Sequence, residues 1–72
     1  MELDDYIVAE NITLAEFGQR VGGVEESTVA RWRTGAMFPS PDNLRLIEKA
    51  TGGRVSYADF QTTRLRRRGV VA

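Results

Sequence analysis

Glycines at three places divide this chain of 72 residues into four segments that have room only for short helices. Gly22-Gly23 and Gly52-Gly53 are doublets, and Gly35 lies between them. Glycine ends helices because, without a Cβ, it enters the left-handed backbone conformation at little cost. The spacing predicts an all-α domain, a small bundle of four to five short helices.

The first apolar residues of the chain recur at helical spacing. Leu3, Tyr6 and Ile7 lie at positions i, i+3 and i+4, so that they share one face of a helix. We expect a first helix over residues 3–10, with Asn11 as its stop.

A second helix begins at a capping box. Thr13 and Glu16 have the Thr-x-x-Glu spacing in which each side chain accepts a hydrogen bond from the backbone of the other. The pattern predicts a helix over residues 14–21. Gly18 lies inside it, at a cost of about 1 kcal/mol relative to alanine. We expect the backbone of a neighbouring helix to approach closely there.

Two further helices follow the single glycine. Ser40-Pro41 supplies a serine cap and a proline at the first helical position, which predicts a fourth helix that ends at Gly52. Ser56 and Asp59 form a looser capping pair. They predict a short fifth helix over residues 57–62.

The formal net charge is zero, but the charges are segregated along the chain. Residues 1–30 hold seven acids and one base, and residues 31–72 hold nine bases and three acids, so the halves carry −6 and +6. Such asymmetry can mark a surface that faces nucleic acid. A dipolar surface without a partner is the alternative.

The composition excludes several kinds of site. The chain has no cysteine and no histidine, which excludes disulfides and thiolate or imidazole metal ligands. No cluster suggests a nucleophile and its base, so we expect neither catalysis nor a cofactor. No apolar run approaches the roughly 20 residues that a membrane span needs, and residues 1–5 are acidic where a signal peptide is basic. We therefore expect a cytoplasmic protein.

The third predicted helix, residues 26–34, has two different faces. Val29 and Trp32 are three residues apart and form its apolar face. The opposite face carries small, hydroxyl and charged groups, namely Glu26, Ser27, Ala30, Arg31 and Thr34. A helix held by one side, with such groups on the other, fits the major groove of DNA. This face is the working hypothesis for a functional site.

The series of helices and stops resembles a known family. Residues 13–22 (TLAEFGQRVG), residues 24–32 (VEESTVARW), the Gly35-x-x-x-Pro39-Ser40-Pro41 segment and residues 47–53 (IEKATGG) are similar to the helix-turn-helix of the phage Cro and CI repressors, the XRE family. The likeness covers about residues 3–60. It implies a λ-repressor-like, helical DNA-binding domain that binds operator DNA as a dimer.

The chain departs from the family pattern in three respects. Gly22 and Gly23 both stand in the turn, where one glycine is usual, and Gly18 stands where many members have alanine. These two differences bear on the angle between the second and third helices. Glu25 stands where a serine commonly caps the recognition helix, although a carboxylate can also accept from backbone N–H groups.

The resemblance places the N-terminal part of the third helix at the base edges. By position, base contacts come from Glu26, Ser27 and Arg31, with Thr28 nearby. Arg31 suits guanine O6 and N7, in a contact that discriminates by roughly 1–3 kcal/mol, and Glu26 suits cytosine N4. Each has a structural alternative: a solvated or ion-paired arginine, an acid that complements the helix dipole, and hydroxyls that only cap.

Phosphate contacts hold a DNA-binding domain in register. The candidates are Thr13 and the amides at the start of the second helix, Arg33 and Thr34 at the end of the third, and Asn43 near the start of the fourth. Asn43 can equally serve as a cap alone.

We place the domain at residues 1–62 and a basic tail at residues 63–72. The tail holds four arginines in five positions and is expected to be disordered, a DNA-backbone arm, or a strand ordered by a partner. Because one short helix reads few base pairs, a homodimer is expected. Its interface candidates are on helix five and the tail: Tyr57, Phe60, Leu65, Val70 and Val71.

Two other functions stay open. A MerR-like excisionase, an architectural DNA-binding protein, fits the residues from Ser27 to Gly35 but requires a β-hairpin wing where residues 40–53 predict a helix. A protein-binding adaptor or antitoxin-like module would use the same bundle to hold a protein partner.

Overall fold

The computed structural model describes residues 1–69 and contains five helices in that part of the chain. They are α1 (Leu3–Glu10), α2 (Leu14–Arg20), α3 (Glu26–Thr34), α4 (Pro41–Thr51) and α5 (Tyr57–Arg67). No strand occurs within those 69 residues, so the predicted all-helical class is confirmed. None of the five helices is both long enough and apolar enough to cross a membrane.

The helix ends form as the local signals predict. Thr13 and Glu16 make the reciprocal capping box, with both N–H···O distances 3.0 Å. Asn11 and Gly35 have positive φ angles of 54° and 85° and end α1 and α3. The Ser40 hydroxyl caps α4 by accepting from the Asn43 amide at 3.3 Å. The α2 helix ends at Arg20, one residue before its predicted end, and its C-cap is Val21. The other cap residues are polar or glycine, because backbone groups at helix ends need partners or special conformations.

One core joins all five helices. Its fully buried side chains come from α1 to α4 and from the segment before α5: Leu3, Phe17, Val29, Trp32, Ile47 and Val55. The α5 helix adds Phe60, which is 3% exposed. Tyr6 meets the edge of Phe17 with ring centroids 6.0 Å apart. Half-buried Phe38 packs edge-on against Phe60, at 6.2 Å. The predicted core roles of Val29 and Trp32 are confirmed, since they are 0% and 1% exposed.

The turn between α2 and α3 closes on Gly18. The amides of Gly23 and Val24 both donate to the Gly18 carbonyl, at 2.9 and 3.0 Å. Gly22 and Gly23 have φ angles of 108° and 94°, which side-chain-bearing residues rarely adopt. The close approach predicted at Gly18 is present, but the neighbour is the backbone of Val24 in the turn rather than that of a helix.

The predicted end of the fifth helix at residue 62 is wrong, because α5 continues to Arg67. Residues 63–67, assigned to a tail, therefore belong to a helix, and Thr63 is buried in it. The extension depends on Glu2, whose side chain is 13% exposed. Its carboxylate accepts from the Thr63 hydroxyl at 2.7 Å and pairs with Arg66 Nη2 at 2.6 Å.

The start of α5 is also tied to the beginning of the chain. Asp59 Oδ2 accepts from the Ser56 amide at 2.9 Å and from the Ser56 hydroxyl at 3.1 Å. Asp59 Oδ1 lies 3.2 Å from the Met1 ammonium. Burial by itself raises the pKa of Asp59, but the hydrogen bonds from Ser56 and the ammonium outweigh it and lower the pKa below its ordinary value.

Candidate nucleic-acid interface

The outward face of α3 is set by its buried face. Val29 and Trp32 fix the rotation of the helix about its axis, because both point into the core. The opposite side is exposed at Glu26, Ser27, Arg31 and Thr34 and half-buried at Thr28 and Ala30. The structure therefore brings the four predicted base-contacting residues onto one helix, and three of them, Glu26, Ser27 and Arg31, are exposed.

Arg31 is exposed one helical turn after Ser27. Among residues 1–69, its guanidinium has no ion-pair or hydrogen-bond partner. Its carbonyl accepts from the Met37 amide at 3.2 Å, which fixes the end of the helix beneath it. A guanidinium in this position is available for the paired contact that guanine O6 and N7 accept.

Two acids stand at the start of α3. Glu25 occupies the N-cap position, but its side chain makes no capping hydrogen bond, although a carboxylate could accept one there. Glu26 is exposed in the first turn, where the helix dipole favours a negative charge. The outer face therefore runs from negative at Glu26 to positive at Arg31.

Thr13 has its main polar groups occupied. Its amide donates to Glu16 Oε1, and its hydroxyl oxygen accepts from the Glu16 amide. A phosphate at this end of α2 would also meet the Glu16 carboxylate, which carries the same sign of charge. The predicted phosphate contact at Thr13 stays a prediction, and the capping geometry disfavours it.

The side chain of Arg33, a residue of α3, extends to α1. Its Nη1 is 3.2 Å from Asp4 Oδ1, and the side chains are 38% and 54% exposed. Its Nε is buried and has no acceptor among residues 1–69. The Asp4 carboxylate therefore competes with a phosphate for the Arg33 guanidinium.

Thr34 and Asn43 lie on separate elements. The Thr34 hydroxyl is exposed at the end of α3 and donates to the Arg31 carbonyl at 3.4 Å. Asn43 is half-buried, and its backbone amide is capped by Ser40. Both stay predictions as phosphate contacts, with Thr34 the more accessible of the two.

The basic side chains differ in whether a carboxylate neutralises them. The paired ones are Arg20 and Arg54 with Glu10, Arg33 with Asp4, Arg45 with Asp42, and Arg66 with Glu2. Within residues 1–69, those without a carboxylate partner are Arg31, Lys49, Arg64, Arg67 and Arg68. The uncompensated positive charge is thus on α3, α4 and the last turns of α5.

Sequence reasoning missed that Arg67 lies beside the end of α3. A Cβ placed on Gly35 would be only 3.3 Å from the Arg67 Cβ. The signal was present in the sequence, because Phe60, Thr63 and Arg67 follow the i, i+3, i+7 spacing of one helix face.

The predicted dimer residues separate into three groups. Tyr57 and Leu65 are exposed by 49% and 43%, whereas Phe60 is 3% exposed in the core and has no surface to offer a partner. Val70 and Val71 lie outside the described residues.

A second surface feature is an open groove between the end of α2 and α4. It is lined by Arg20, Val21, Gly22, Leu46, Lys49 and Ala50. Leu46 is 45% exposed there, so the groove has an apolar side as well as two cations.

Comparison with known proteins found no matching family model, no matching curated protein and no matching solved structure.

Proposed function

We propose that this protein is a sequence-specific regulator of transcription that binds double-stranded operator DNA, of the λ-repressor-like, Cro-type or prophage repressor class. In this proposal α3 is the recognition helix and lies in the major groove, and the protein acts as a homodimer. No metal or cofactor takes part.

The observation that carries the proposal is the position of Arg31. It projects from the exposed face of a helix whose other face is anchored by Val29 and Trp32, and no carboxylate among residues 1–69 neutralises it. Because its buried face is anchored, the helix has little freedom to tilt or rotate. The backbone of Arg31 is therefore held in one place, as a base contact of fixed register needs.

Glu26 supports specificity rather than affinity. Its carboxylate would be repelled by phosphates, but at a base edge it can accept from cytosine N4. Five residues along a helix span about 7.5 Å, so Glu26 and Arg31 can meet bases about two pairs apart. We therefore expect a half-site with a guanine opposite Arg31 and a cytosine near Glu26.

The excisionase alternative loses support because α4 occupies the place of its wing. The adaptor alternative keeps one supporting feature, the groove that exposes Leu46 between Arg20 and Lys49. It predicts a protein partner and no preferred DNA sequence.

The decisive experiment is selection of bound fragments from random double-stranded DNA. The wild type is expected to enrich one motif, and Arg31→Ala is expected to lose preference at the guanine while it stays folded. Arg54→Ala is the matched control, since Arg54 is also exposed but is paired with Glu10 outside α3. The absence of any enriched motif with the wild type would favour the adaptor function. A motif unchanged by Arg31→Ala would reject α3 as the reading element.

A further inference from the structure

We propose that the last turn of α5 is a second DNA-contacting element, in which Arg67 binds a backbone phosphate beside the C-terminal end of α3. This inference rests on the proposed function, and it assigns a distinct task to one arginine within the run of residues 64–68.

The first observation is the close packing of α5 on Gly35. A Cβ at this glycine would lie 3.1 Å from the Thr63 carbonyl oxygen and 3.3 Å from the Arg67 Cβ. No side chain therefore separates the end of α3 from the last turns of α5. The Arg67 side chain begins where the outer face of α3 ends.

The second observation is the face of α5 from which Arg67 projects. Phe60 and Thr63 are 3% and 7% exposed, and Arg67 is the next residue on their stripe. Arg67 is nevertheless exposed. Its Cβ lies beside Gly35, and a long charged side chain of this kind can bury its aliphatic part while the guanidinium stays in water.

The third observation is that two of the other three arginines in the run, Arg64 and Arg66, are engaged elsewhere. Arg66 Nη2 is 2.6 Å from Glu2 Oε2, on the side of α5 that faces α1. The Arg64 guanidinium lies 4.5 Å from the centre of the Phe38 ring and donates to Gln61 Oε1 at 2.9 Å. Among residues 1–69, Arg67 has no carboxylate partner.

These positions define the chemistry of the contact. A guanidinium presents two parallel N–H groups that match two phosphate oxygens. With α3 in the major groove, its C-terminal end would be directed towards the sugar–phosphate backbone. That end carries Thr34, and Arg67 lies beside the next residue, Gly35. The competing role for Arg67 is structural, because a cation near the last carbonyls of α3 stabilises that helix.

The experiment measures affinity for the fragment selected by the wild type as a function of salt. Loss of one phosphate contact lowers the slope of log K against log salt by about 0.9. For Arg67→Ala the affinity deficit relative to wild type should therefore shrink by about 3.5-fold between 0.05 and 0.2 M salt. Arg67→Lys should keep the wild-type slope.

Arg54→Ala is the matched control, because it removes the same charge from an exposed side chain that is already paired with Glu10 and lies outside α5. It should leave the slope unchanged. A wild-type slope for Arg67→Ala with a lowered melting temperature would assign Arg67 to helix stabilisation and overturn the proposal. Equal slope losses for both variants would also overturn it, in favour of a diffuse positive charge.

The two proposals fail separately. If Arg31→Ala loses sequence preference while Arg67→Ala keeps the wild-type slope, only the assignment of Arg67 fails. If the wild type shows no sequence preference, the proposed function fails.

Discussion

The carbonyl oxygen of Val24 lies where the side chain of residue 18 would be. A Cβ built on Gly18 would approach that oxygen to 2.1 Å, far inside van der Waals contact. The Gly18 carbonyl in turn accepts both the Gly23 and the Val24 amides. This glycine therefore determines how the α2–α3 turn closes and, through the turn, the angle between α2 and α3.

Gly18→Ala is expected to destabilise the protein despite the better helix propensity of alanine. The propensity gain is about 1 kcal/mol, whereas overpacking against backbone costs about 1–3 kcal/mol or more. Chemical denaturation measures the difference. Ala15→Gly, at an exposed position of α2, calibrates the propensity term. An increase in the free energy of unfolding for Gly18→Ala would mean that the Val24 carbonyl can move away from the added methyl group at little cost.

Much of the fold could be predicted because the helix boundaries are local. Thr13 with Glu16, Ser40 with Pro41, and Gly35 each determine a helix end through groups within three residues. Such signals act within the segment itself, so they survive without knowledge of tertiary contacts. The apolar spacing then identified the buried face of α3, and with it the exposed one.

The end of α5 and the partners of the arginines could not be predicted, because they depend on contacts between residues far apart in sequence. The last turns of α5 are stabilised by Glu2, which is 61 residues from Thr63. The pairing of Arg33 with Asp4 spans 29 residues. No local pattern distinguishes Arg66, which is neutralised by Glu2, from Arg67, because only the packing of α5 decides which carboxylate each arginine meets.

Asp59 is expected to contribute to the loss of stability in acid, that is, to the fall in the free energy of unfolding at low pH (the acid limb). Its pKa is lowered in the folded protein, so the unfolded chain takes up the proton first. Its contribution is complete above the ordinary aspartate pKa of about 3.9 and is lost as the pH falls through the folded value. Denaturation midpoints between pH 3 and 7 should fall less steeply for Asp59→Asn than for wild type. Asp5→Asn controls for the loss of one charge, and identical acid limbs for Asp59→Asn and wild type would contradict the linkage.

Leu65 is expected to stabilise the proposed homodimer. It shares one stripe of α5 with exposed Tyr57 and half-buried Gln61, whose side chains are hydrogen-bonded at 2.9 Å. Leu65→Glu should shift sedimentation equilibrium towards monomer and leave the melting temperature of the monomer near that of wild type, because the side chain is 43% exposed. Thr62→Glu, also exposed on α5, tests whether any added acid has the same effect. Unchanged self-association would place the interface elsewhere.

Thr13→Ala is expected to change stability and not DNA contacts. Loss of the cap costs about 1 kcal/mol, because the Glu16 amide loses its acceptor. The salt dependence of DNA binding should stay that of wild type. Thr62→Ala, which also removes an exposed helical hydroxyl, serves as the reference for stability. A slope reduced by about 0.9 in Thr13→Ala would instead establish a phosphate contact there.

Asp4→Ala is expected to strengthen DNA binding, because Asp4 competes with phosphate for Arg33. The exposed ion pair is worth about 0.2–1 kcal/mol, so its removal should raise affinity by up to about fivefold. Asp5→Ala removes the same charge from the same turn of α1, and no ion pair within residues 1–69 involves Asp5. It therefore separates release of Arg33 from a general reduction of negative charge.

The double variant Asp4→Ala/Arg33→Ala completes the test, since without Arg33 the advantage of Asp4→Ala over Asp5→Ala should disappear. Fluorescence anisotropy with a labelled operator fragment measures all of these affinities under one salt condition. If Asp4→Ala and Asp5→Ala bind DNA equally well, we infer that the Arg33 side chain keeps its contact with Asp4 when DNA is bound. The proposed phosphate contacts at the C-terminal end of α3 are then those of Thr34 and Arg67, and Arg33 serves only to attach α1 to α3.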